Sequence, residues 1–125
     1  MGLIGSGVFV TDPVSGYPPG APDAPAGYTR SGLIHDLFAM PTFLGLPAAQ
    51  ILSMRSFRRV GSRGWARYSA GSAAVMLINL VLASAAFAQV RRLVPYGGLL
   101  QRASVSAGLG WLTALFLRTL HTIES

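Results

Sequence analysis

Few residues in this chain have the chemistry to act on a ligand. His35 and Asp36 stand together at the head of a long apolar run. An ionisable pair at a hydrocarbon edge is a default functional candidate because burying it is costly. Consecutive helical residues point about 100° apart, so the two do not form a catalytic dyad by themselves. A satisfied interfacial histidine is the plainer reading, and Asp36 also suits a helix N-terminus, where the macrodipole favours negative charge. Asp12 and Tyr17 belong to Thr11-Asp12-Pro13 and Gly16-Tyr17-Pro18-Pro19-Gly20. Asp12 can accept backbone N–H groups in an Asx-turn, making this stretch a rigid lid or, as the functional alternative, a cap over a binding cleft. His35 and His121 as a haem pair fall at the head and the tail of two spans that run in the same direction, about a bilayer thickness apart, so no cofactor and no metal site is expected from them. Cysteine is absent, which removes thiolate ligands and nucleophiles. No phosphate-binding glycine loop, serine elbow or carboxylate pair can be assembled.

The elements that would position these groups are apolar. Of the 125 residues 51% are hydrophobic and 11% charged, against roughly 25% charged in soluble domains. A chain this small cannot bury that much apolar surface inside itself, so lipid is the expected solvent. The net charge of +6 comes from ten arginines and no lysine. A nucleic-acid partner is not implied, because Arg55, Arg58, Arg59, Arg63 and Arg67 crowd one segment between two apolar runs, as in a cytoplasmic loop beside anionic headgroups.

Hydropathy divides the chain as one membrane domain. Residues 1–10 are apolar but would reach only about 15 Å as a helix, half of a bilayer core. Residues 11–31, dense in Pro and Gly, form an external loop. Helix A covers 32–54, with Ser31 available as N-cap and with Pro41 and Pro47 inside it, tolerable where neighbours satisfy the freed carbonyls. A basic cytoplasmic loop fills 55–67. Helix B covers 68–90, and helix C covers 99–120 with Arg102 and Arg118 snorkelling from its ends. The fold class is thus all-α: an integral membrane bundle of three transmembrane helices with a Pro/Gly-rich N-terminal loop. Arginine asymmetry places the loop between A and B inside, although Arg91 and Arg92 then lie outside, against the rule. Abundant Ala, Gly and Arg without Lys suggest a GC-rich bacterial genome, hence the bacterial cytoplasmic membrane as location.

Within the spans, Asn79 is expected to hydrogen-bond between helices, and Ser104 with Gly108 places small residues four apart for close helix contact. Trp65, Tyr68 and Tyr96 read as interfacial anchors.

Gly7-x-Phe9-x-Thr11-Asp12-Pro13, Gly16-Tyr17-Pro18-Pro19-Gly20, His35-Asp36, Arg63-Gly64-Trp65-x-x-Tyr68-Ser69 and Gln101-Arg102 before Trp111 together resemble the bacterial membrane family catalogued as domain of unknown function 998. The resemblance implies a polytopic bundle, usually of about six helices, and carries over no activity. It also implies that this chain corresponds to the C-terminal portion of such a bundle. Self-association, or pairing with missing N-terminal helices, is therefore expected. The functional expectation is a membrane protein that binds a lipid or small amphipathic ligand or is transport-related. The alternative is an integral membrane enzyme using His35 and Asp36 at the outer interface.

Overall fold

The computed structural model describes Ile4, Val8, Thr11, Asp12, Gly20, Gly27 and residues 29–124. Three long helices account for nearly all of the continuous part: α1 (Arg30–Arg59), α2 (Arg63–Phe87) and α3 (Gly97–Glu124), the last preceded by a 3₁₀ turn at Val94–Tyr96. Each is long and apolar enough to cross a membrane. At about 1.5 Å per residue they extend roughly 45, 38 and 42 Å, beyond the roughly 30 Å of hydrocarbon.

That excess length corrects the expected boundaries. The basic segment at 55–67 is mostly helical: Arg55, Arg58 and Arg59 belong to α1, Arg63 and Arg67 to α2, and the connection is only residues 60–62. Apolar composition stops at the headgroups, but a helix continues until something breaks its hydrogen bonding, and arginine is a good helix former. The break comes at Gly61. Its φ of +74° places it in the left-handed region. Gly61 N–H then donates to Arg58 O at 3.2 Å and Ser62 N–H to Phe57 O at 2.9 Å, the paired bonds of a Schellman ending. α2 ends the same way without glycine: Gln89 takes φ 65°, its N–H donating to Ala86 O at 3.0 Å and Val90 N–H to Ala85 O at 3.1 Å. At the start of α1 the cap is Thr29 and not Ser31. Its extended backbone and hydroxyl, which accepts from Gly32 N–H at 3.0 Å, satisfy an otherwise orphaned donor.

α2 is the central element, packed against both α1 and α3, which touch each other only sparingly. Its buried face is built from small residues and one flexible one, Ala66, Ser69, Ala73, Met76, Ala83 and Ala86. Small side chains let backbones approach closely, which is how helices gain packing energy where no hydrophobic drive separates interior from lipid. Gly97 shows the same economy of space: a Cβ there would stand 2.9 Å from Phe87 Cε1 and 3.1 Å from Ala86 Cβ, so the α2–α3 turn closes tightly over it. Leu44, Leu52, Ile78, Val81, Phe116 and Leu117 are exposed on the outside. Water would penalise that surface, whereas acyl chains solvate it.

Candidate functional site

The structure sorts the polar residues into two ends and a core. At the first end, Asp12 is buried, and its carboxylate accepts from Thr29 N–H at 3.0 Å and from the Thr29 hydroxyl at 2.6 Å. The same hydroxyl caps Gly32. Asp12 is therefore clamped to the start of α1, where helix N–H groups and the macrodipole favour a negative charge. Gly32 is required by this clamp, because a Cβ there would overlap the Asp12 carboxylate. His35 is half-buried and Asp36 exposed, one turn further along α1. Tyr17 lies outside the described residues. Among those that are described, no group of three His, Asp or Glu side chains comes together in a metal-holding arrangement.

The core holds a polar chain across all three helices. Gln50 of α1 is fully buried, and its amide Nε2 donates to Ser72 Oγ of α2 at 3.0 Å; that hydroxyl donates onward to Ala107 O of α3 at 2.9 Å. Gln50 Oε1, also buried, has no hydrogen-bond partner among the described residues. Ser104 Oγ donates to Met76 O at 2.8 Å, and Trp111 Nε1 donates to Ser69 Oγ at 3.0 Å. Ser104 and Gly108 thus lie at the contact with α2, where a Cβ on Gly108 would meet Met76 Sδ at 2.8 Å and Leu46 Cδ1 at 2.9 Å. The interhelical bond expected of Asn79 is not the one seen: its amide donates to Val75 O at 2.9 Å, one turn back in α2. A side chain that can satisfy itself on its own helix does not need a partner helix.

The second end is basic. Arg55, Arg58, Arg59, Arg63 and Arg67 are exposed around it and Arg118 is half-buried. No salt bridge neutralises them among the described residues. α2 begins here with Arg63 and without an acidic residue in its first turn, so its positive dipole end adds to the arginine field. Arg118 is held by rings: its guanidinium carbon lies 4.9 Å from the Phe57 centroid and 4.8 Å from the Trp65 centroid. Phe57 and Trp65 are 5.8 Å apart, and Trp65 meets Tyr68 edge-on at 5.6 Å. Three helices contribute to this cluster, and stacking fixes a guanidinium that would otherwise sweep through solvent.

The family described as Protein of unknown function (DUF998) matches the chain over residues 1–118. The chain belongs to this family. No curated protein matches it. Nor does any solved structure. In this DUF998 chain the match runs from Met1 to Arg118, so the Asp12–Thr29 cap, the polar chain of the core and the arginines of the basic end all fall inside it. The sequence marks Arg118 as a snorkelling residue and Trp65 as an interfacial anchor, but their stacking is visible only in the fold. Motif and spacing single out neither Gln50 nor Ser72, and Ser69 enters only as part of the Arg63-to-Ser69 motif, without its bond to Trp111. The available signal for Gln50 was a lone amide inside an apolar run between Pro47 and Ile51.

Proposed function

We propose that this DUF998 chain is a noncatalytic membrane module that engages anionic amphiphiles, lipid before all, through its basic end, and that this end lies in the cytoplasmic leaflet of a bacterial plasma membrane. The observation that carries this reading is the concentration at one end of arginines from all three helices, with no carboxylate paired to them among the described residues. Each juxtamembrane arginine near an anionic leaflet contributes on the order of 1 kcal/mol of attraction, and the arginine bias also favours the inner side. The enzyme alternative at His35 and Asp36 has less support, since Asp12, the nearby buried carboxylate, is already engaged in capping α1.

The test is lipid partition. Protein reconstituted in phosphatidylcholine bilayers with a minority of phosphatidylglycerol should enrich the anionic lipid, less so at high salt, and the triple variant R58Q/R59Q/R63Q should lose most of the enrichment. Equal partition of the two lipids around the native protein would reject the reading. Orientation is checked separately: a cysteine at Ser56 should resist, and one at Ser15 accept, an impermeant maleimide in intact cells.

A further inference from the structure

At the basic end α2 and α3 border an open cavity of about 570 Å³ lined by Trp65, Ala114, Leu117, Arg118, His121 and Thr122. The lining is ordered along α3. Ala114 and Leu117 stand toward the middle of the span, Arg118 follows, and His121 and Thr122 lie a turn nearer the helix end. The cavity is therefore apolar on its membrane side and cationic on its outer side. A free anion would have no use for the apolar wall. A glycerophospholipid has a matching order, with phosphodiester outermost and glycerol and first methylenes below.

Arg118 is prepared for such a group. The Phe57 and Trp65 rings, themselves 5.8 Å apart, meet its guanidinium from one side and leave its edge donors. Of the five N–H groups of a guanidinium, the hydrogen bond seen is from Nη1 to Ser62 Oγ, at 3.5 Å, the far limit of such a contact. A planar fork held by rings, without a paired carboxylate among the described residues, is suited to bidentate binding of phosphate oxygens. We infer that this cavity seats one phospholipid, its phosphodiester on the Arg118 guanidinium with His121 beside it, and its glycerol and proximal chains against Trp65, Ala114 and Leu117. The inference rests on the anionic-lipid reading of the basic end and narrows it from a charged collar to a site of fixed stoichiometry.

Native mass spectrometry of the protein ejected from phosphatidylcholine nanodiscs carrying a minority of phosphatidylglycerol tests it. The native chain should retain one phosphatidylglycerol at collision energies that strip all phosphatidylcholine. L117W, which fills the apolar wall and leaves the guanidinium in place, should reduce retention about tenfold or more, and R118K, which keeps the charge but not the fork, should do likewise, the loss of a charge-assisted bidentate contact being of that order. R58Q/R59Q should lower overall enrichment while the single retained lipid persists. Circular dichroism and monodisperse elution confirm folding of each variant. Undiminished retention in folded L117W and R118K overturns the seat and leaves the collar standing, whereas absence of any phosphatidylglycerol preference in the native chain removes both. Displacement of the retained lipid by excess inorganic phosphate or glycerol phosphate would show a free-anion site and overturn the lipid assignment.

Discussion

The indole N–H of Trp111 donates to the hydroxyl of Ser69 at 3.0 Å, with the two side chains 1% and 0% exposed. The bond joins α3 to α2 at a depth where neither water nor lipid offers a substitute. S69A leaves the indole donor buried and unpaired. Hydrogen bonds between membrane helices average about 0.6 kcal/mol and reach about 1.7 kcal/mol. S69A is expected at the upper end of that range, because the orphaned group stays desolvated. Thermal unfolding in mild detergent measures it, and an unchanged midpoint would show that the indole finds another acceptor.

Gly108 and Gly110 provide an internal comparison. At Gly108 an added Cβ would come within 2.8 Å of Met76 Sδ and 2.9 Å of Leu46 Cδ1, whereas at Gly110 nothing lies within 4 Å. G108A is therefore expected to destabilise by about 1–3 kcal/mol, softened to the extent that the flexible Met76 end moves. G110A should be neutral, or stabilising by up to about 1 kcal/mol through helix propensity. Equal effects at the two positions would contradict the packing of α3 on α2 and α1.

The Gln50–Ser72–Ala107 chain predicts an unusual order of severity. Gln50 Oε1 is already unpaired among the described residues, so Q50M removes an unsatisfied acceptor together with the Nε2 donor, and Ser72 keeps its bond to Ala107 O. Q50M should fall within about 1 kcal/mol of the native protein. S72A instead strands the buried Gln50 amide and should cost about 1–3 kcal/mol. Guanidinium or heat titration in detergent ranks the two, and Q50M being the more damaging would refute the assignment.

The clamp at the other end is tested by a graded series. Asp12 accepts two hydrogen bonds from Thr29. D12N can retain one acceptor, D12A none, and G32A pushes the carboxylate out of its seat. Stability should fall from native through D12N to D12A, with G32A at least as affected as D12A, each cap-sized step about 1 kcal/mol. Limited proteolysis between Asp12 and Thr29 should accelerate in the same order. Variants indistinguishable from the native chain would mean that the loop is held by other contacts.

Much of this architecture was legible in the residues. Length and apolarity marked three spans, since a bilayer sets a minimum of about 20 residues; α1 and α3 extend past helices A and C at both ends, whereas α2 stops at Phe87, short of the expected end of helix B at residue 90. Ser104 and Gly108 were legible as a packing seam because small residues four apart share a helix face. What composition could not show was where each helix stops. Gly61 and Gln89 end α1 and α2 through left-handed backbone and not through any change in hydropathy, so the arginine segment became helix ends instead of loop. Asn79 drew attention because polar groups in lipid need partners, yet its partner proved to be its own helix.

By itself the sequence determined a three-helix membrane protein with a strongly basic segment, because solvation by hydrocarbon depends on composition and run length. Only the tertiary structure decided that α2 is central, that Gln50, Ser69, Ser72 and Trp111 form the hydrogen-bonded interior, and that Arg118 packs against the touching rings of Phe57 and Trp65. The reason is physical. In a soluble helix the apolar stripe announces the buried face, but in lipid the outside is as apolar as the inside, so no such stripe distinguishes them. Which face is interior is settled by close fit and by polar groups finding one another, and both depend on how the helices are placed.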